Sequence, residues 1–209
     1  AQNLGVKLSV VMKILVTLMV VFLASCKSSD LLMLGIPENT IRYKVYKEFE
    51  PINGLVESGQ FEKALNILSS IEEIEPLTAA ERFSIQEYYG YTYYEKGDVD
   101  LSIRHYSMAL TEVNVTDESK IKVHRILAEI FFSIKKYDSS IDTIRLLEKK
   151  VADIPNDMVY LKAKAHFQDV DCESTIQALS IVSSKDTGKS FITTNEFNYM
   201  YEQCSRAKI

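Results

Sequence analysis

The sequence predicts an all-α fold, with about four helix hairpins stacked side by side into a superhelix and one unpaired last helix closing the stack. Two observations lead there. Residues 83–98 and 121–136 each read as an amphipathic helix, and after a short polar break residues 99–110 and 137–147 each read as a second. A helix-turn-helix unit that recurs cannot bury its apolar face alone, so its copies stack. The 209 residues also hold only seven Gly and four Pro, which leaves few places for turns and favours long helices.

In chain order, residues 1–25 carry Lys7 and Lys13 and no acid; without them the net charge falls from −5 to −7. Met12 and Lys13 precede an apolar run of 11 residues over 14–24. That is short of the roughly 20 residues a membrane-spanning helix needs and fits the core of a signal peptide. Residues 1–25 are therefore expected to be one, and if Met12 is the start, residues 1–11 lie upstream of it. Leu23-Ala24-Ser25-Cys26 resembles the lipobox of bacterial lipoproteins. The resemblance implies a Cys26 carrying palmitate-type acyl chains, stable anchoring by more than one chain, and a tether over 26–40. Lys27 stands where an inner-membrane retention signal typically has Asp, so it also implies the periplasmic face of the outer membrane. The competing reading is a plain signal peptide or anchor with an incidental Cys26.

The apolar patch from Leu31 to Ile36 is expected to pack on the first helices or lie against the membrane. Thr40, after the break at Pro37, is the expected N-cap of a helix over 41–49. Pro51 should kink or restart that helix, leaving an imperfect first arm. Gly59 ends it, and residues 61–71 form its partner. Helices follow near 77–96, 99–113, 117–135 and 137–151, then 156–167 and 172–183. A polar loop over 184–190 leads to a last helix over 191–206. Repeats would thus fill 41–190, and residues 191–209 would cap them.

The breaks fall at Gly59, Gly97, Lys135 and Val170, separated by 38, 38 and 35 residues. Around them Tyr89, Gly90, Tyr93, Ser102, Tyr106 and Ala109 recur as Leu127, Ala128, Phe131, Ser140, Ile144 and Leu147. In these residues the chain resembles tetratricopeptide (TPR) repeats, which use about 34 residues each, and the resemblance covers roughly residues 45–182. It implies a right-handed superhelix in which small residues let helix axes approach to about 8 Å. It also implies a concave groove lined by the first helix of each hairpin. Carrying the lining positions over gives Tyr91, Tyr94 and Glu95, then Lys122, Arg125, Glu129 and Phe132, then Tyr160, Lys164 and Phe167. Aromatic anchors with cationic rims suit capture of a protein or peptide. The same rings could instead pack on adjacent repeats with their hydroxyls wet. Lys122 and Arg125 resemble the carboxylate clamp of chaperone-binding members, but the asparagines of that clamp are absent.

Catalysis finds little support. His105, His124 and His166 fall on three different helices with no ligand at metal spacing. Thr187-Gly188-Lys189-Ser190 echoes a phosphate loop, yet Ser183 stands where its first glycine belongs and no strand precedes it. Asp98 reads as a helix N-cap. No enzyme activity, metal or cofactor is expected, and the acidic balance argues against nucleic acid. Cys172 and Cys204 lie about equally far from the loop joining their helices, which allows either a disulfide or two buried thiols. The expected role is a membrane-anchored scaffold binding a protein or peptide of the cell envelope, its repeat spacing similar to that of the repeat proteins accompanying TonB energy-transduction systems. Alternatives are a pilotin or assembly factor for a secretin, pilus or outer-membrane complex, and a regulator of a periplasmic peptidoglycan enzyme.

Overall fold

A computed structural model describes residues 35–185 and 194–207. The expected signal peptide, Cys26, most of the tether and apolar patch, and the loop around Lys189 lie outside the described residues. Among those residues there are nine helices and no strand. They are α1 (Tyr43–Glu57), α2 (Phe61–Glu72), α3 (Ala79–Lys96), α4 (Val99–Ala109), α5 (Asp117–Ser133), α6 (Tyr137–Glu148), α7 (Asn156–Gln168), α8 (Cys172–Lys185) and α9 (Asn195–Arg206). The first eight pair as four consecutive hairpins, and α9 packs singly on α8. This is the all-α stack with a closing helix that the repeats predict.

Each hairpin turns through one motif. Gly59, Gly97, Lys135 and Val170 all take positive φ, at 73, 89, 62 and 61°. The N–H after each reaches back to a carbonyl of the preceding turn, as Gln60 to Leu55, Asp98 to Tyr93, Lys136 to Phe131 and Asp171 to His166, at 2.8–2.9 Å. This is the Schellman end, which satisfies carbonyls the helix leaves open. Five residues past each turn stands a small, fully buried residue: Ala64, Ser102, Ser140 and Thr175. The Ser102 and Ser140 hydroxyls donate to the carbonyls of Gly90 and Ala128, both at 2.8 Å. Close approach is tightest at Gly90, where an added Cβ would meet the Tyr106 ring at 2.8 Å. The sequence pattern of small residues is thus a packing requirement.

The core runs along the stack in three clusters. Val45, Phe49, Ile52, Leu68 and Ile85 join α1, α2 and α3; Phe83, Tyr106, Val123, Leu127 and Ile130 join α3, α4 and α5. Ile144, Leu147, Met158, Leu179 and Met200 extend the core through α9. Each such side chain contributes about 1.5–3 kcal/mol on burial.

The first hairpin corrects two expectations. Pro51 does not break its helix: α1 runs unbroken through it, because Phe49 and Ile52 on either side are both buried. That packing offsets the missing backbone bond. Thr40 is not the N-cap; Arg42 is, without a side-chain cap bond. The Thr40 hydroxyl donates instead to the Pro37 carbonyl at 2.7 Å, and its carbonyl accepts from the Thr78 hydroxyl at 2.6 Å. The packed chain also begins before residue 41, since the Ala79 and Ala80 N–H groups donate to the carboxylate and carbonyl of Glu38.

That segment is clasped to α3 by a buried ion pair. Thr78 and Glu81 form a capping box at the start of α3, each side chain accepting the other's N–H. The fully buried Glu81 carboxylate also accepts from the Arg42 guanidinium, Nε at 2.7 Å and Nη2 at 2.5 Å, and from the Arg42 N–H at 2.9 Å. Burial alone would push this carboxyl up. The Arg42 side chain and the N–H groups of Thr78 and Arg42 outweigh it, holding the pKa below the usual carboxylate value. At the opposite end a disulfide joins Cys172, at the start of α8, to Cys204, near the end of α9, with Cα atoms 4.9 Å apart.

Candidate functional site

The first helices of the hairpins share one face, and two hollows open along it. The larger, about 500 Å³, lies between α1, α3 and α5. At 100° per residue Ser84, Glu87, Tyr88 and Tyr91 share one side of α3 and form its wall. Tyr46 and Phe49 from α1 and Ile126 from α5 complete an aromatic and apolar lining. Phe49 and Tyr88 stack at 4.9 Å, while Tyr46 stays half exposed. On the rim Lys122 pairs with Glu87 at 2.5 Å. Burial, then the neighbouring Glu87, pushes the Tyr88 hydroxyl pKa up; burial does the same for Tyr91. Both phenols stay neutral donors.

The second hollow, about 370 Å³, lies between α5 and α7. Its walls carry Arg125, Glu129, Phe132, Asp157, Tyr160 and Lys164. The Lys164 ammonium stands over the Phe132 and Tyr160 rings, 5.3 and 5.7 Å from their centroids. Such cation–π contacts hold a flexible side chain in place. Arg125 pairs with Asp157 at 2.9 Å, and the Tyr160 hydroxyl donates to Glu196 at 2.9 Å. Burial pushes the Tyr160 phenol up to about 12, and Glu196 adds to the shift.

Of the ten expected groove residues, Tyr91 and Lys122 line the first hollow. Arg125, Glu129, Phe132, Tyr160 and Lys164 line the second. Tyr94 and Glu95, exposed on the last turn of α3, line neither. Phe167 meets Tyr199 edge-on at 5.8 Å, and Tyr160 stacks on Phe197 at 6.4 Å. These two α7 rings therefore face α9, which sits where the first helix of a further repeat would stand. Sequence reasoning missed Tyr46, Phe49 and Tyr88. Their signal was the i, i+3 spacing within α1 and α3, and in α1 it was hidden because Pro51 suggested a broken first arm.

The histidines serve packing. His124 and His166 are buried, the first with Nδ1 2.8 Å from the Lys120 carbonyl, the second 3.4 Å from Asp171. His105 stacks between Tyr89 and Tyr93 at 4.7 and 5.3 Å. Burial lowers all three pKa values, which keeps the rings neutral at pH 7. Among the described residues no group of three or more His, Cys, Asp or Glu could hold a metal ion, and no helix is long and apolar enough to cross a membrane. What the face offers is aromatic surface with charged rims.

No family model matches the chain, and no curated protein matches it. Solved structures do match. MamA from AMB-1 is 14% identical, with a TM-score of 0.56 over 79% of this chain and 85% of that one. The nearly identical TPR-like repeats of a Podosopora anserina protein, described as a kinesin light chain, match in two structures, each 11% identical. One, a point variant, has a TM-score of 0.57 over 80% of this chain and 93% of that one. The other has 0.55 over 78% and 90%. Identities this low speak to the fold alone, and that fold is an all-α, TPR-like stack of helix hairpins.

Proposed function

We propose that the protein is a membrane-anchored scaffold, working by binding and not by catalysis, whose first-helix face captures a protein or peptide partner at the cell envelope. The observation that carries this is the pair of aromatic hollows on the two flanks of α5. Tyr46, Phe49, Tyr88 and Tyr91 present rigid, amphipathic area, which suits a hot spot. Lys122 and Ile126 border one hollow, Arg125 and Glu129 the other, so their separation is about one helix packing distance, ~10 Å. An extended peptide spans that in about three residues and can seat one side chain in each.

The anchor follows from Cys26 and its lipobox-like neighbours. From Cys26 to Gly35 is nine residues (35 − 26), a reach of about 30 Å when extended. Confinement that close to the outer membrane raises the groove's effective concentration for envelope partners. Which assembly it serves, a TonB-type transport system among them, depends on what the groove captures.

A photo-reactive residue placed at Lys122, on the groove rim, tests the site. It should give a discrete cross-linked partner in cells, while the same residue at Leu146, exposed on α6, should not. Equal products from both positions, or none from Lys122, would count against the groove. For the anchor, Cys26→Ser should release the protein from the membrane fraction and abolish palmitate labelling. Unchanged fractionation of that variant sinks the lipid attachment.

A further inference from the structure

We propose a second binding site on the other side of α3: a cleft between α2 and α4 that takes a guanidinium or ammonium group on an apolar arm, as at the end of an arginine or lysine side chain. Gln86, Ile85 and Arg82 line it, on the side of α3 roughly opposite Ser84, Glu87, Tyr88 and Tyr91. The cleft is about 450 Å³, within the usual range for small-ligand sites. Leu77 and Met108 give it apolar walls over the fully buried Ile85, and Met108 is 41% exposed.

Glu72 sits at the edge of this lining. Its Oε1 accepts from the Gln86 amide at 3.3 Å and its Oε2 from the Tyr89 hydroxyl at 3.2 Å. Tyr89 is buried and held by its stack on His105. Both donors are neutral, so they aim the carboxylate without balancing its charge, and among the described residues Glu72 has no ion pair. The cleft's own cation is already engaged: Arg82 grips Glu112 with Nε and Nη2 at 3.0 Å. A cationic head would meet Glu72 while its methylenes lie on Leu77 and Met108.

The feature belongs to this seam and not to the repeat. Thirty-eight residues on, the spacing from Gly97 to Lys135, Leu110 stands in the register of Glu72 and Lys150 in that of Glu112. Lys149 likewise replaces Thr111. The next seam carries the opposite sign.

The probe is n-butylguanidinium, compared with the isosteric neutral n-butylurea. Both are titrated into full-length protein carrying 13C-methyl methionine in an uncharged detergent. The Met108 methyl signal should shift saturably with the cation and bind the urea roughly tenfold more weakly, the factor expected when one charge-assisted contact is lost. Glu72→Gln, an exposed position where the amide oxygen still accepts from Tyr89, should weaken the cation by a similar factor and leave the urea unchanged. No saturable shift, an equal response to both probes in wild type, or an unaffected Glu72→Gln overturns the proposal. The comparison of the two probes in wild type stands even if that variant misfolds.

Discussion

The two ends of the stack are closed by different chemistry. At the N-terminal end a buried carboxylate, Glu81, gathers the Arg42 guanidinium and two backbone N–H groups and ties residues 38–42 across the start of α3. At the C-terminal end α9 lays Phe197 and Met200 on the last hairpin, and the Cys172–Cys204 disulfide fixes it there. The last hairpin has α9 for a neighbour, whereas at the other end the clasp binds the start of the first hairpin to the start of α3. One closure is electrostatic and answers to pH; the other is covalent and answers to reductant. Breaking them separately shows whether the ends are independent.

Arg42→Ala should have the largest effect. It leaves Glu81 buried without its cation, which costs about 3–5 kcal/mol, toward the low end because Arg42 keeps some exposure. The sign with pH follows from the lowered pKa of Glu81. Its stabilising contribution is complete above the ordinary carboxylate value of about 4.3 and is lost as pH falls through the lower folded value. Denaturant melts of wild type and variant should therefore differ at pH 7 and converge in acid. A constant gap down to about pH 2 would show that packing, not charge, closes this end.

Removing the disulfide comes next. It spans 32 residues, and a loop of that length stabilises by about 2–4 kcal/mol. With Cys204→Ser, or in reductant, amide exchange should quicken along α9, at Phe197 and Met200, while the amides near Val45 keep their protection. Equal loss at both ends would mean that the stack melts as one unit and that the contrast drawn between its ends has no thermodynamic content.

The two ends also differ in how far the sequence reveals them. The turns are legible throughout, even at Lys135 and Val170, where no glycine marks them, because the spacing of the hairpins places them. The middle groove follows the same spacing: Ser84, Glu87, Tyr88 and Tyr91 stand thirty-eight residues before Lys122, Arg125, Ile126 and Glu129, and all eight line the hollows. At the C-terminal end that register misleads, since it treats Phe167 as groove when α9 covers it. At the N-terminal end Arg42 and Glu81 stand 39 residues apart with no period linking them, so their pairing appears only in three dimensions. Thr78-Ala79-Ala80-Glu81 does carry a readable capping-box signature. What it does not reveal is that its glutamate has a second partner. Pro51 concealed Tyr46 and Phe49 because the rule that proline ends a helix gave way to apolar residues buried on both sides of it.

The smallest effect probes a turn that the C-terminal end tolerates in spite of its residue. Val170 holds φ at 61° while 84% exposed, so it has the strain of a β-branched side chain in left-handed backbone and little packing to offset it. That conformation costs about 1–2 kcal/mol, and Gly59 and Gly97 make the same turn without it. Val170→Gly removes the strain but loosens the unfolded chain by about 0.4–1 kcal/mol. The net should be a gain of roughly 0.5–1 kcal/mol, or about 1–4 °C in Tm for a domain of this size. Lys135→Gly in mid-stack should gain less, because an unbranched side chain suffers less in that region. If Val170→Gly destabilises instead, the turn draws support from the valine itself, and the closing hairpin is held by more than α9 and its disulfide.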